Sequence, residues 1–204
     1  MRDNKKQERK KALETLTRQG IYDAVINLLI RDGIQGLTME RVAAEAGVAK
    51  GTLYIYFDSK EKLLEAAVDA SFDPLIKELV VMLDGDLFPD GKLVEFTLCI
   101  LRFFDERRDL IRVLLYDRER GHSDKNHYAD KRYQNLIQRL ADVLTEGIRN
   151  GQFIPIDSTK VAAMFVEANM GMIMQRIFDG TSGDVERDAR QVTDIFMGGL
   201  RRRD

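Results

Sequence analysis

An all-α fold of about nine helices is predicted for this 204-residue chain, and three observations predict it. Apolar residues recur at spacings of three and four along most of the sequence. Only three prolines and no tryptophan are present, which argues against a loop-rich sandwich. Polar, glycine-bearing stretches such as "DGDLFPDGK", "ERGHSDKNH", "NGQFIP" and "DGTSGD" separate segments of about 20 residues. A chain of this length buries roughly 70% of its unfolded surface, so a full core is available.

The elements follow in order. Residues 1–16 form a basic arm or a frayed helical extension, with six Lys/Arg and two acids before Leu13. Thr17 offers an N-cap for a first helix whose apolar positions Ile21, Ala24, Val25, Leu28 and Leu29 share one face, with Gly33 as the stop. Thr38 offers the hydroxyl cap of a second helix, where Glu40 suits the dipole and Leu37 staples onto Val42. That helix stops at Gly47, a third runs from about Val48 to Phe57, and Ser59 caps the long helix after it. Near residues 73–74 the dipeptide "DP" either restarts or kinks that long helix.

Net charge is only −2, yet it is unevenly placed. Residues 1–62 hold 12 Lys+Arg against 9 Asp+Glu, and residues 63–204 hold 20 against 25, so a mildly basic front precedes an acidic rear. Two all-α units, 1–62 and 63–204, are the simplest division. The single cysteine, Cys99, lies in the apolar run "LCILRFF", which suits a buried thiol in a reducing compartment. The longest apolar run, "AVINLLI", is far short of the roughly 20 residues that a membrane span needs, so a cytoplasmic protein without membrane contact is expected.

The stretch "AEAGVAKGTLYIYF" carries the functional signal. Two short helices joined by a tight turn at Gly47 describe a helix-turn-helix. A glycine costs about 1 kcal/mol inside a helix but little in a left-handed turn, which favours the turn reading of Gly47. Leu53 and Phe57 are four apart and share the face that should be buried. Lys50, Gly51, Thr52, Tyr54 and part of Tyr56 then face outward, a set suited to the phosphates and base edges of a DNA major groove. A small helical hairpin with surface tyrosines is the plainer alternative.

The run "GLTMERVAAEAGVAKGTLYIYFDSKEKLLEAAV" resembles the DNA-binding region of the tetracycline-repressor-like (TetR/AcrR) transcription regulators, closely over residues 17–68. The remainder agrees in helix number, helix length and the closing segment "GIRNGQF". The resemblance implies phosphate contacts from Thr38 and Lys60, a recognition helix carrying Lys50, Gly51, Thr52 and Tyr54, and Tyr56 in place of the histidine often found as a phosphate contact. Two residues depart from the family pattern: Ala49 stands where Ser or Thr commonly caps the recognition helix, and Ile55 stands where an aromatic or polar residue is common. The basic arm exceeds the family's minimal start; it is read either as a follower of a neighbouring minor groove or as a solvated tail.

The rear half should hold a ligand cavity and a self-association surface. Phe96, Phe103, Phe104, Tyr116 and Tyr133 are candidate pocket-lining residues, and Glu167 and Asn169 interrupt an otherwise apolar helix in a way that suits either a polar ligand group or an internal cation such as Arg176. The expected effector is at least partly apolar. Val185, Ala189, Val192, Phe196 and Gly199 step by four and three, and Ala168, Gly171 and Phe178 add small or apolar positions on the preceding helix, a pattern for a homodimer seam. In the resembled family this helix pair forms a four-helix dimer interface, and two recognition helices roughly 34–36 Å apart would read an inverted repeat.

Catalysis is poorly supported: no GxSxG, P-loop or Cys–His arrangement is present, so a non-enzyme without cofactors is expected. His122 and His127, with Asp124 between, lack the spacing of a metal site. The expectation is a DNA-binding transcriptional repressor released from an inverted-repeat operator by a small molecule. A helical protein-interaction module with a disabled helix-turn-helix and a small all-α enzyme stand as the alternatives.

Overall fold

A computed structural model describes residues 2–119, 131–179 and 183–201. Among these residues the chain forms nine α-helices and no strand, in agreement with the all-α expectation. The candidate metal group His122, Asp124 and His127 lies outside the described residues, as does most of the 119–127 loop. No helix among the described residues is long and apolar enough to cross a membrane. Contacts divide the chain into one unit of Met1–Asp73 with Val113–Arg120 and another of Pro74–Arg112 with Gly121–Asp204.

In the first unit, α1 (Arg2–Asp32) is one uninterrupted helix. The Thr17 cap is therefore corrected: its hydroxyl donates to the Leu13 carbonyl at 2.9 Å from within the helix. The run "KKQERKK" consists of good helix formers, and Lys10 pairs with Glu14 one turn on, so the basic segment continues the helix instead of fraying. Ile21, Ala24, Val25, Leu28 and Leu29 form the buried face as expected.

A 3₁₀ turn (Ile34–Gly36) leads to α2 (Met39–Glu45), where Thr38 Oγ1 accepts the Arg41 backbone N–H at 3.2 Å. The end of α2 is a Schellman closure: Val48 N–H reaches the Ala43 carbonyl at 3.0 Å, and Gly47 N–H the Ala44 carbonyl at 3.3 Å. This requires a left-handed residue, and Gly47 supplies it with φ +65°. Helix α3 spans Lys50–Tyr56, a residue or two shorter at each end than the sequence suggests. Helix α4 (Lys60–Leu83) opens with Ser59 Oγ accepting the Lys62 N–H at 3.2 Å and runs without restarting through Pro74.

The second unit contains the remainder of α4, then α5 (Pro89–Glu106), the start of α6 (Arg108–Glu119), α7 (Lys131–Arg149), α8 (Ser158–Phe178) and α9 (Val185–Leu200). Its core is aromatic. Phe96 of α5 lies 5.7 Å from Phe165 of α8, which meets Phe196 of α9 edge-on at 5.0 Å. In "GIRNGQF" the Phe153 ring lies over Gly147 so closely that a Cβ there would fall 2.2 Å from it. Ile154 N–H then bonds the Leu200 carbonyl at 2.9 Å, tying the turn to the end of α9. Cys99 is half-buried, and burial together with the neighbouring Glu78 carboxylate pushes its thiol up to about 12, so it stays protonated.

Arg176, one of the alternatives for pairing with Glu167, instead bonds three other segments. Only 3% exposed, it donates to Asp105 at the end of α5, to Asp188 in the first turn of α9 and to the Gly183 carbonyl at 2.9 Å. Asp105 also receives Arg108 at 2.9 Å, and Arg112 donates to the Ile177 carbonyl at 3.0 Å, so the start of α6 is bonded to the same corner. Burial raises the Asp105 pKa, but Arg176 and Arg108 outweigh it and hold the carboxyl below the usual carboxylate range.

Removing the guanidinium would leave two part-buried carboxylates without their shared cation. Arg176→Met should lower unfolding stability by about 3 kcal/mol or more in urea titration at neutral pH. Because the native Asp105 pKa is depressed, its contribution is present above about pH 4 and is lost as pH falls through the native value. The gap between wild type and variant should therefore narrow on acidification, as read from thermal unfolding across that range.

Candidate nucleic-acid interface

Helix α3 is too short to be stable alone, and its placement depends on two buried anchors. Leu53 is fully buried and Phe57, just past the helix end, nearly so. Phe57 packs against Tyr22 of α1 with ring centroids 5.9 Å apart. As expected from the four-residue spacing, this turns the opposite face outward. Lys50, Gly51 and Tyr54 are exposed, Thr52 and Tyr56 are half-buried at its edges, and Ile55 is 79% exposed.

The remaining expected contacts flank this face. Thr38 is exposed at the start of α2 and Lys60 half-exposed at the start of α4. Ala49 has the extended backbone of an N-cap, φ −68° and ψ 143°, but contributes no side-chain hydrogen bond, as its identity implied. Gly51 has nothing within 4 Å of where a Cβ would stand. The fold of this chain therefore makes no demand for glycine there, and the open space lies on the outward face.

Several neighbours of this face are not legible in the local motif. Arg18 of α1 places its guanidinium 5.1 Å from the Tyr56 ring centroid and 5.6 Å from that of Phe57, adding a cation beside an expected phosphate contact. Lys50 forms an ion pair with Glu40 of α2 and stands 5.9 Å from the Tyr54 ring. The Lys50 bond, then Glu40's own backbone N–H, hold the Glu40 carboxyl below its usual range, and Glu40 in turn raises the Lys50 ammonium. Arg41 bonds the Gly36 carbonyl at 2.8 Å and Asp32 at 2.5 Å, and Arg31 reaches Glu45 at 3.2 Å, tying the end of α1 to α2. The Arg31 and Arg41 guanidiniums depress the Asp32 pKa, but every member is solvated, so the network orients more than it stabilises.

The rear-half candidates separate. Phe96 and Phe103 are buried, Phe104 is half-buried at 5.7 Å from Phe103, and Tyr116 is exposed. Asn169 is buried; its Nδ2 donates to the Phe165 carbonyl at 2.8 Å, while its Oδ1 has no partner among the described residues. Tyr133 and Glu167 come together at a concavity: the Tyr133 hydroxyl donates to Glu167 at 2.7 Å, and both line a space of about 640 Å³ with Ile137, Met164, Ala168 and Phe196. A second concavity of about 680 Å³ between α4, α5 and α7 contains Lys92, which is buried with its ammonium 3.6 Å from Glu146. Nothing in the sequence pattern marked that lysine.

The seam positions also divide. Ala189 and Val192 are buried within the chain, on a helix that packs chiefly on α5. Phe178, Gly171 and Gly199 are exposed, Ala168, Val185 and Phe196 are half-buried, and the exposed Met164 and Ile195 extend the same α8–α9 surface.

Comparison with known proteins adds independent findings. Residues 21–67 match the family described as bacterial regulatory proteins, tetR family, and residues 114–186 match the tetracyclin repressor-like C-terminal domain. The chain is 25% identical to the uncharacterized HTH-type transcriptional regulator YfiR of Bacillus subtilis, over 81% of this chain and 82% of that protein. It is 25% identical to the HTH-type transcriptional repressor KstR2 of Mycolicibacterium smegmatis, with 82% of each covered. Among solved structures, the transcriptional regulator FadR from Bacillus subtilis in complex with stearoyl-CoA superposes with a TM-score of 0.75 at 18% identity, covering 90% of this chain and 99% of that one.

Two substitutions separate what α3 needs for folding from what it offers outward. Ala49→Ser should supply the missing cap and raise stability by about 1 kcal/mol in denaturant titration. Gly51→Ala should also stabilise, by up to about 1 kcal/mol, because no atom opposes the new methyl, yet it should weaken binding to duplex DNA in a fluorescence-anisotropy titration.

Proposed function

This chain belongs to the tetR family of bacterial regulatory proteins, and on that premise we propose that it is a homodimeric, cytoplasmic repressor released from an inverted-repeat operator by a small molecule. The observation that carries the DNA-binding role is the outward face of α3, where Lys50, Gly51, Thr52 and Tyr54 stand opposite the buried Leu53. Tyr54 and Thr52 read base edges in the major groove; Thr38, Tyr56 and Lys60 grip phosphates, with Arg18 beside Tyr56. Ile55, apolar and exposed, suits a thymine methyl group.

Dimerisation through the α8–α9 surface follows from its exposed Met164, Phe178 and Ile195, with Gly171 and Gly199 permitting close approach. The effector site is assigned to the concavity at Tyr133 and Glu167, where an apolar wall meets one hydrogen-bonded carboxylate. A second copy on α8–α9 would roof that concavity, because Ala168 and Phe196 belong to both. An effector that binds the two arrangements of the dimer unequally would then shift the spacing of the recognition helices.

Two alanine variants test the readout. Tyr54→Ala should weaken operator binding by about tenfold or more and random-sequence binding far less; Lys60→Ala should weaken both alike and flatten the salt dependence by about one unit of slope per protomer. Equal losses for the two variants on both duplexes would refute the assignment of base and phosphate contacts.

A further inference from the structure

Glu40 and Lys50 lie ten residues apart, on opposite sides of the Gly47 turn, and the fold brings them into an ion pair on the face that α2 and α3 present to solvent. The Glu40 carboxylate is also faced by the Thr38 hydroxyl and by its own backbone N–H. An ammonium, a hydroxyl and a helix-start N–H around one anionic oxygen group are the donors that a DNA phosphate would need, and two of them, from Lys50 and Thr38, are the residues assigned to DNA.

We propose that Glu40 is an internal stand-in for a backbone phosphate, competing with DNA for Lys50 and Thr38 and so restraining the affinity of the recognition surface. The inference rests on the DNA-binding reading of α3. The pair is exchangeable because both side chains are open to water, 62% for Glu40 and 50% for Lys50. An exposed pair of this kind is weak enough for a polyanion to displace, whereas a buried one would lock Lys50 away. Docking then exchanges a carboxylate for a phosphate at Lys50 and leaves the freed carboxylate beside the DNA charge. Lys50 arrives already neutralised by the protein, so its contact releases less counterion than a bare lysine would.

The test uses the full-length chain and a random-sequence duplex, so that no operator need be known. Glu40→Gln keeps the shape and removes the charge; it should tighten binding by about five- to tenfold per protomer at low salt and steepen the log–log salt dependence by about one unit per protomer. In a Lys50→Ala background the same substitution should change binding less than about twofold, because the competition has lost its main object and only the Thr38 hydroxyl remains. Thermal unfolding confirms that the exposed variants keep the fold. Unchanged or weaker binding by Glu40→Gln overturns the proposal, and so does an undiminished gain in the Lys50→Ala background, which would mean general repulsion. If Lys50→Ala alone leaves DNA binding intact, the reading of α3 fails as well; if it weakens binding while Glu40→Gln changes nothing, only the competition fails.

Discussion

A seven-residue helix cannot hold itself together in water, so the recognition surface depends on the burial of Leu53 and Phe57. Each removes its side chain from solvent against the first unit's core, a contribution of about 2 kcal/mol apiece on transfer scales. Everything that α3 shows to solvent is fixed by that choice of inward face. The Gly47 turn makes it possible, since a left-handed residue lets Val48 and Gly47 close the last carbonyls of α2 while the chain reverses into α3. The exposed Gly51, Tyr54 and Ile55 thus carry little packing duty, and their identities are available for recognition.

The second unit solves a different problem, that of holding helix ends in register at its Arg176 corner. Its aromatic stack, Phe96 on Phe165 on Phe196, prefers particular ring geometries by only about 1 kcal/mol per pair and would tolerate small slips. Arg176 does not tolerate them: a planar guanidinium with fixed donor directions must meet Asp105, Asp188 and the Gly183 carbonyl together. The corner also engages Arg108 and Arg112, so the beginning of α6 is positioned by the same charges that join α5, α8 and α9. Packing supplies the bulk of the stabilisation there, and the charged corner specifies which arrangement of helix ends is stabilised.

What was legible in the sequence is what local physics decides. The Thr38 and Ser59 caps, the Gly47 turn and the shared burial of Leu53 and Phe57 each depend on residues within about five positions of one another, and the structure places them as the spacing requires. Thr17 departs for an equally local reason: it is a cap-forming residue, but the lysine- and glutamate-bearing run before it propagates helix well and carries α1 through it. The Arg18–Tyr56 contact, the Glu40–Lys50 pair and the Arg176 corner were not legible because their partners are brought together only by helix crossings. Glu167 shows the limit clearly: a carboxylate on an apolar helix suits a polar ligand group or an internal cation such as Arg176, whereas the fold brings the Tyr133 hydroxyl to it and gives Arg176 to Asp105.

Helix α3 itself is built from residues that its own stability does not favour. Ala49 omits a cap that Ser would provide; Gly51 weakens a helix in which nothing excludes a methyl group; Ile55 is β-branched and 79% exposed; Tyr54 leaves half an aromatic ring in water. Each choice is mildly unfavourable to the isolated chain, and all four fall within seven consecutive residues on or beside one outward face. Local rules and fold agree along most of α1, α2 and α4, so the disagreement is concentrated rather than scattered. Such concentration is what selection for an external partner leaves behind, because a surface shaped for folding alone would have lost these residues to better helix formers.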